Sequence, residues 1–150
     1  MSYIAVEPAT ETMLKAAFQA ALTTAGLSAT IYGFWIDDAA TEDSEEVDFP
    51  QINIKAAPSI PEGWRSPVHV VPVSVDIITF QPDDKKRATL VALYAAVRDI
   101  INTEDFTAAT FSQVPAVTID DGGDVYAEPP IQLIRLELSV NVCTGAQDFT

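Results

Sequence analysis

The change of hydrophobic period between Val68 and Asn102 constrains this chain more than any other feature. Val71, Val73, Val75 and Ile77 alternate along one run; beyond Phe80 and the charged stretch Pro82-Asp83-Asp84-Lys85-Lys86-Arg87, the apolar positions recur as Leu90, Leu93, Tyr94, Val97, Ile100 and Ile101. A period of two buries one face of a strand, and a period near 3.6 buries one stripe of a helix. The segment therefore reads as a long strand, Val68 to Phe80, feeding a helix with Asp83 as its N-cap. Pro72 cannot donate to a ladder and predicts an edge position or a bulge. Such a unit specifies a fold and almost no chemistry.

The same test places the other elements. Leu14, Phe18, Ala21, Leu22 and Ala25 fall on one helical stripe between Thr10 and Gly26, with Pro8 or Thr10 as the start and Gly26 as a left-handed cap. Thr30 to Ile36 is β-branched and aromatic on both faces, the pattern of a strand covered from both sides or used at an interface, with Gly33 as a bulge. Phe49 to Ala56 alternates as a further strand, and Ala57 to Pro67 is a proline-punctuated loop. Val114 to Ile119 and Val125 to Ala127 read as a hairpin around Asp120-Asp121-Gly122-Gly123-Asp124. In Ile131 to Cys143, Ile134, Leu136, Leu138, Val140 and Val142 alternate with Arg135, Glu137, Ser139 and Asn141, as in a half-buried antiparallel strand. Strands outnumber helices without alternating with them, and each helix has a single apolar stripe. The predicted class is α+β, a mixed, mainly antiparallel sheet with two main helices packed on one face. The 150 residues suit one domain, 1–150, with the acidic loop 37–48 within it.

Charge narrows the partners. Asp and Glu number 22 against 8 Lys and Arg, a net charge of −14, and such a chain repels both a nucleic-acid backbone and an anionic membrane surface. No apolar run approaches the ~20 residues that cross a bilayer. Met1 to Pro8 lacks the basic start and small-residue cleavage site of a secretory leader, so a cytoplasmic product is expected. Cys143, the single cysteine, permits no intrachain disulfide and reads as an inert thiol at a strand end.

Candidate chemistry is sparse. His69 is the only histidine; no G-x-S-x-G accompanies it, and a strand-end histidine that packs locally is the plainer reading. No phosphate-binding glycine motif is present, since acids flank Gly122-Gly123. Asp120 to Asp124 has a calcium-like composition without EF-hand spacing, which leaves a solvated turn against a divalent-cation site. No catalytic residue, metal ligand or cofactor is assigned, and an enzyme is not expected. Asp37, Asp38, Glu42, Asp43, Glu45, Glu46 and Asp48 form a run without Lys or Arg, read as an extended solvated loop or one that faces a partner or a DNA passage. Phe34, Trp35, Trp64 and Arg65 are candidate subunit or partner contacts, because Trp and Arg are enriched where proteins meet; core packing is the competing account of Trp35, and anchoring on its own core that of Trp64.

The amphipathic first helix, the acidic loop, the Phe49-Pro50-Gln51-Ile52 strand start, the Pro67 to Phe80 strand feeding Asp83 to Asn102, and the long final strand together resemble the tail terminator or tail completion proteins of long-tailed phages, the family of the lambda minor tail protein U. The likeness covers nearly the whole chain in element order. It implies a structural virion protein of the tail or neck, assembled in the host cytoplasm. Its subunits would form a homo-oligomeric ring, typically a hexamer, that caps the head-proximal end of the tail tube, stops its polymerisation and joins the head connector. DNA would only pass through the channel, along an acidic lining. The length of the acidic 37–48 stretch departs from the family pattern. Alternative readings are a neck or head–tail adaptor and, from another class, a metal-binding enzyme or an acidic binding module that mimics DNA.

Overall fold

A computed structural model describes residues 6–37, 49–58, 60–61, 68–80, 87–102, 116–128 and 130–143. Its elements are α1 (Val6–Ala25), β1 (Thr30–Gly33), β2 (Gln51–Ala56), β3 (Ile60–Pro61), β4 (Val68–Phe80), α2 (Ala88–Asn102), β5 (Ala116–Glu128) and β6 (Ile131–Cys143). The strands form one sheet in the order β1-β2-β4-β6-β5, with β3 also on β4. β1 pairs with β2 in parallel, and every other pairing is antiparallel. Both helices pack on one face, so the fold is α+β, as the periodicity predicts.

β4 and β6 match their predicted bounds residue for residue. They pair along their whole length from Val68↔Cys143 to Phe80↔Ile131, which sets Val71, Val73, Val75 and Ile77 beside Val140, Leu138, Leu136 and Ile134 on the helix side. The helices answer with complementary stripes. In α1 the buried residues Val6, Thr10, Leu14, Phe18 and Leu22 recur every four positions, and α2 buries Leu90, Leu93, Val97 and Ile101. Each large apolar side chain taken out of water contributes roughly 1.5–3 kcal/mol, so this interlayer cluster dominates the favourable energy.

Helix ends differ from expectation at the N-terminal side. α1 starts at Val6, with Pro8 inside its first turn where no intrahelical donor is needed. Its end is the predicted one: Gly26, at φ 71°, donates to the Thr23 carbonyl and Leu27 donates to the Leu22 carbonyl, a Schellman closure that only a left-handed residue permits. α2 begins at Ala88 after Arg87, whose φ is 56°. Asp83, the expected cap, lies outside the described residues, and Arg87 is held by a hydrogen bond from its Nε to Gln132 Oε1 of 3.1 Å.

Two strand expectations are corrected, and the choice between an edge and a bulge at Pro72 is decided. Pro72 is on the central strand, which excludes the edge reading; it faces an irregularity instead. Ala56 pairs with Val73 and Ile60 with Val70, so β2 and β3 spend one residue more than β4 over this stretch, and the Pro72 carbonyl accepts the Ala57 N–H at 2.7 Å. β1 stops at Gly33, and Phe34 to Ile36 form a turn. Asp120 to Asp124 is no hairpin turn: β5 runs through it to Glu128, and β6 begins at Ile131. Register shifts after Ile119 and after Gly122 absorb Asp120 and Gly123 as extra residues. These two bulges keep Ile119, Gly122 and Val125 opposite the core-facing Leu138, Leu136 and Ile134, while Asp121 falls opposite Glu137 on the far face. The long β6 template outweighs the turn preference of the glycines.

Glycine at 122 is needed for close approach, because a Cβ there would lie 2.7 Å from Leu136 Cδ2 and 3.1 Å from Ile119 Cγ2. Gly122→Val is expected to cost about 1–3 kcal/mol by overpacking. Denaturant unfolding would show the loss, and amide exchange would rise in β5 and β6 while the β2–β4 ladder keeps its protection.

Candidate interaction surface

β1 ends where α1 reaches the sheet. Phe34 donates the last ladder bond to the Ile54 carbonyl, and the chain then turns, with Asp37 donating to the Gly33 carbonyl at 3.0 Å. Beyond this point β2 has lost its neighbour, so both backbone groups of Ala56 need other partners. Two side chains supply them. The Ala56 N–H donates to Glu11 Oε2 at 2.9 Å, and the Ala56 carbonyl accepts the Trp35 indole N–H at 2.7 Å. Glu11 Oε1 takes the Trp35 backbone N–H at 2.6 Å. Gly33 makes room for this carboxylate, since a Cβ there would lie 2.8 Å from Glu11 Oε1 and 2.5 Å from Ile36 Cγ1.

Glu11 is fully buried. Burial pushes its carboxyl above the ordinary range, backbone N–H groups of Ala56, Trp35 and Ile36 oppose that rise, and the nearby Asp37 charge adds to it. Asp37 behaves oppositely. The Gly33 N–H and then Lys15 hold it below the ordinary range, with Lys15 Nζ 2.9 Å from its Oδ2.

This clamp presents two aromatic rings at the sheet edge. Phe34 and Trp35 are 52% and 49% exposed and meet edge to face at 5.4 Å. With half its surface exposed, Trp35 is no core residue. Lys55 Nζ stands 4.8 Å from the Phe34 ring centre.

Beside the rings, on the sheet face opposite the helices, lies a groove of about 470 Å³. Tyr32 and Phe34 contribute from β1 and its turn, and Gln51, Asn53 and Lys55 from β2. The far side is Ser74 and Asp76 of β4 and Arg135 of β6. Arg135 grips Asp76 through two hydrogen bonds of 2.7 and 3.0 Å, which raises its already high pKa. Ser74 donates to Glu137 at 3.0 Å. Gln51 is only 6% exposed, and its Nε2 has no hydrogen-bond partner among the described residues.

Of the residues singled out in the sequence, Phe34, Trp35 and Asp37 come together here. Asp37 is bound into the turn and paired, so it is not part of a solvated loop. Asp38, Glu42, Asp43, Glu45, Glu46, Asp48, Trp64 and Arg65 lie outside the described residues. His69 sits early on β4, its pKa lowered by burial and opposed by the charge of Glu7 from α1. Asp120 accepts a short hydrogen bond from Ser139. Among the described residues no group of three or more His, Cys, Asp and Glu is placed to hold a metal ion, and no helix is long and apolar enough to cross a membrane.

The sequence reading missed Glu11, Gln51 and Lys55. Glu11 stands three and seven residues before Leu14 and Phe18, which puts an acid on the apolar stripe, and that was the available signal. No protein-family model matches the chain, and no curated protein is significantly similar to it in sequence.

Glu11→Gln replaces one acceptor oxygen by an NH₂ that confronts a backbone N–H, so a loss of about 1–3 kcal/mol is expected in chemical denaturation. Its pH dependence has a definite sign. A raised folded-state pKa means that Glu11 favours folding in full below about pH 4.3, the unfolded value, and loses this contribution as pH rises from there through the folded-state value; the wild type's advantage over Glu11→Gln should shrink across that range.

Asp37 has the reverse sign. Its lowered pKa gives stability that is present above about pH 3.9 and lost as pH falls through the folded-state value. The gap between wild type and Asp37→Asn should therefore widen from pH 3 to pH 5, and a constant gap in denaturant titrations over that span would contradict the assignment.

Proposed function

We propose that this chain is a structural virion protein, a tail terminator whose subunits form a hexameric ring on the head-proximal end of a phage tail tube, stop its growth and join the head connector. The observation that carries the reading is the Phe34–Trp35 pair: half-exposed rings held at a sheet edge by the buried Glu11 and by the indole bond to Ala56. Rigid exposed aromatics of this kind are suited to subunit contact, since little side-chain entropy is lost on docking. The reading is also supported by the resemblance in element order noted in the sequence, a first helix, strands, a second helix and a long final strand. A net charge of −14 supports a channel that DNA passes without sticking.

The test is incubation of the protein with purified tail tubes from the same virus, followed by native mass spectrometry and electron microscopy. Six-membered rings at one tube end and arrested elongation are expected. Phe34→Glu should weaken ring formation at least tenfold, about 1.4 kcal/mol, with monomer stability within about 0.5 kcal/mol of wild type. A protein that stays monomeric and binds no tube end overturns the reading; binding to connector complexes alone would move it to a neck adaptor.

A further inference from the structure

Two side chains in the groove opposite the helices have chemistry that the rest of the described structure does not answer. Gln51 Nε2 is buried without an acceptor among the described residues, although buried amide donors are nearly always paired. Lys55 is the one described cation with no oxygen partner. Lys15 pairs with Asp37 and Arg135 with Asp76, Arg87 donates to Gln132, and Arg98 donates to Tyr94; Lys55 has only the face of Phe34.

Gln51 and Lys55 project from the same face of β2 and stand about 13 Å apart, four residues at strand rise. A ligand that answers both must be extended, with an acceptor oxygen at one end and negative charge at the other. Asn53 lies between them, with an amide able to meet a peptide group in either polarity. Tyr32 and Phe34 give an aromatic wall along the same line. A small anion reaches only one of the two groups. Nucleic acid is disfavoured because its continuous run of phosphates needs several cations, and with Arg135 matched by Asp76 the groove offers Lys55 alone, enough for a single carboxylate.

We propose that this groove binds an extended acidic peptide segment of a partner protein, with a main-chain or carboxylate oxygen at Gln51 Nε2 and a carboxylate about four residues further on at Lys55. The assignment goes beyond the tail-terminator reading and does not depend on ring formation.

The probe is a blocked octapeptide of alternating Glu and Ala, with its Gln-for-Glu counterpart as control, followed by fluorescence anisotropy and by amide shifts of β2 in the full-length protein. The Glu peptide is expected to bind at least tenfold more tightly than the Gln peptide and to shift amides from Gln51 to Lys55. Lys55→Glu, an exposed change, should abolish that preference, and Gln51→Leu should weaken both peptides in protein that remains folded by circular dichroism. Equal binding of the two peptides, or affinities unchanged in both variants, overturns the proposal. Loss of self-association in Lys55→Glu without any peptide binding would assign the groove to a second copy and also overturn it. Tube capping measured on the same variants keeps the outcome separate from the terminator reading.

Discussion

The pairing of β4 with β6 is the constraint on which the remaining structure depends. Both strands have thirteen residues, and they pair from end to end. A slip of one residue would turn Val71, Val73, Val75 and Ile77 away from the helices and put Pro72, Ser74 and Asp76 beneath Phe18 and Leu93. Burial therefore holds the register. The same register then decides the opposite face, where it sets Asp76 across from Arg135 and Ser74 across from Glu137. The floor of the groove is thus positioned by hydrophobic packing on the side it does not share.

The edges of the sheet are finished by two different devices. On the β5 side, paired bulges let a glycine-rich acidic segment follow β6 while Asp120 and Asp121 stay exposed. On the β1 side a strand of four residues leaves β2 uncovered, and two side chains complete it: Glu11 from α1 and the Trp35 indole from the turn after β1 take the hydrogen-bonding positions of a missing neighbour. A buried carboxylate is an expensive way to do so. It serves two purposes at once, since the backbone bonds that cap β2 also fix the turn carrying Phe34 and Trp35, with Lys15 and Asp37 bracing it from α1.

Legibility followed the strength of periodicity. β4 and β6 were readable to the residue, because long strict alternation has one solution when one face is buried. The α1 stripe and its Gly26 cap were equally plain. Asp120 to Asp124 misled, since acids and glycines favour a turn locally and only the neighbouring β6 reveals that the chain continues as a bulged strand. The exposed aromatic pair was legible as residue types, whereas the clamp beneath it was not. Glu11 sits 24 residues from Trp35 and 45 from Ala56 along the chain, and no local pattern announces contacts of that separation.

By itself the sequence determined the class of the fold, the strand and helix faces that enter the core, and a charge that sets the protein against polyanions; each follows from periodicity or composition, which are local or additive properties. Tertiary structure alone decided that β4 is central, that Asp37 is paired, that Glu11 is a structural carboxylate, and that Gln51 and Lys55 share a groove with Arg135. Those outcomes depend on which strands become neighbours and in what register, and that choice is made by the burial of the whole apolar surface at once.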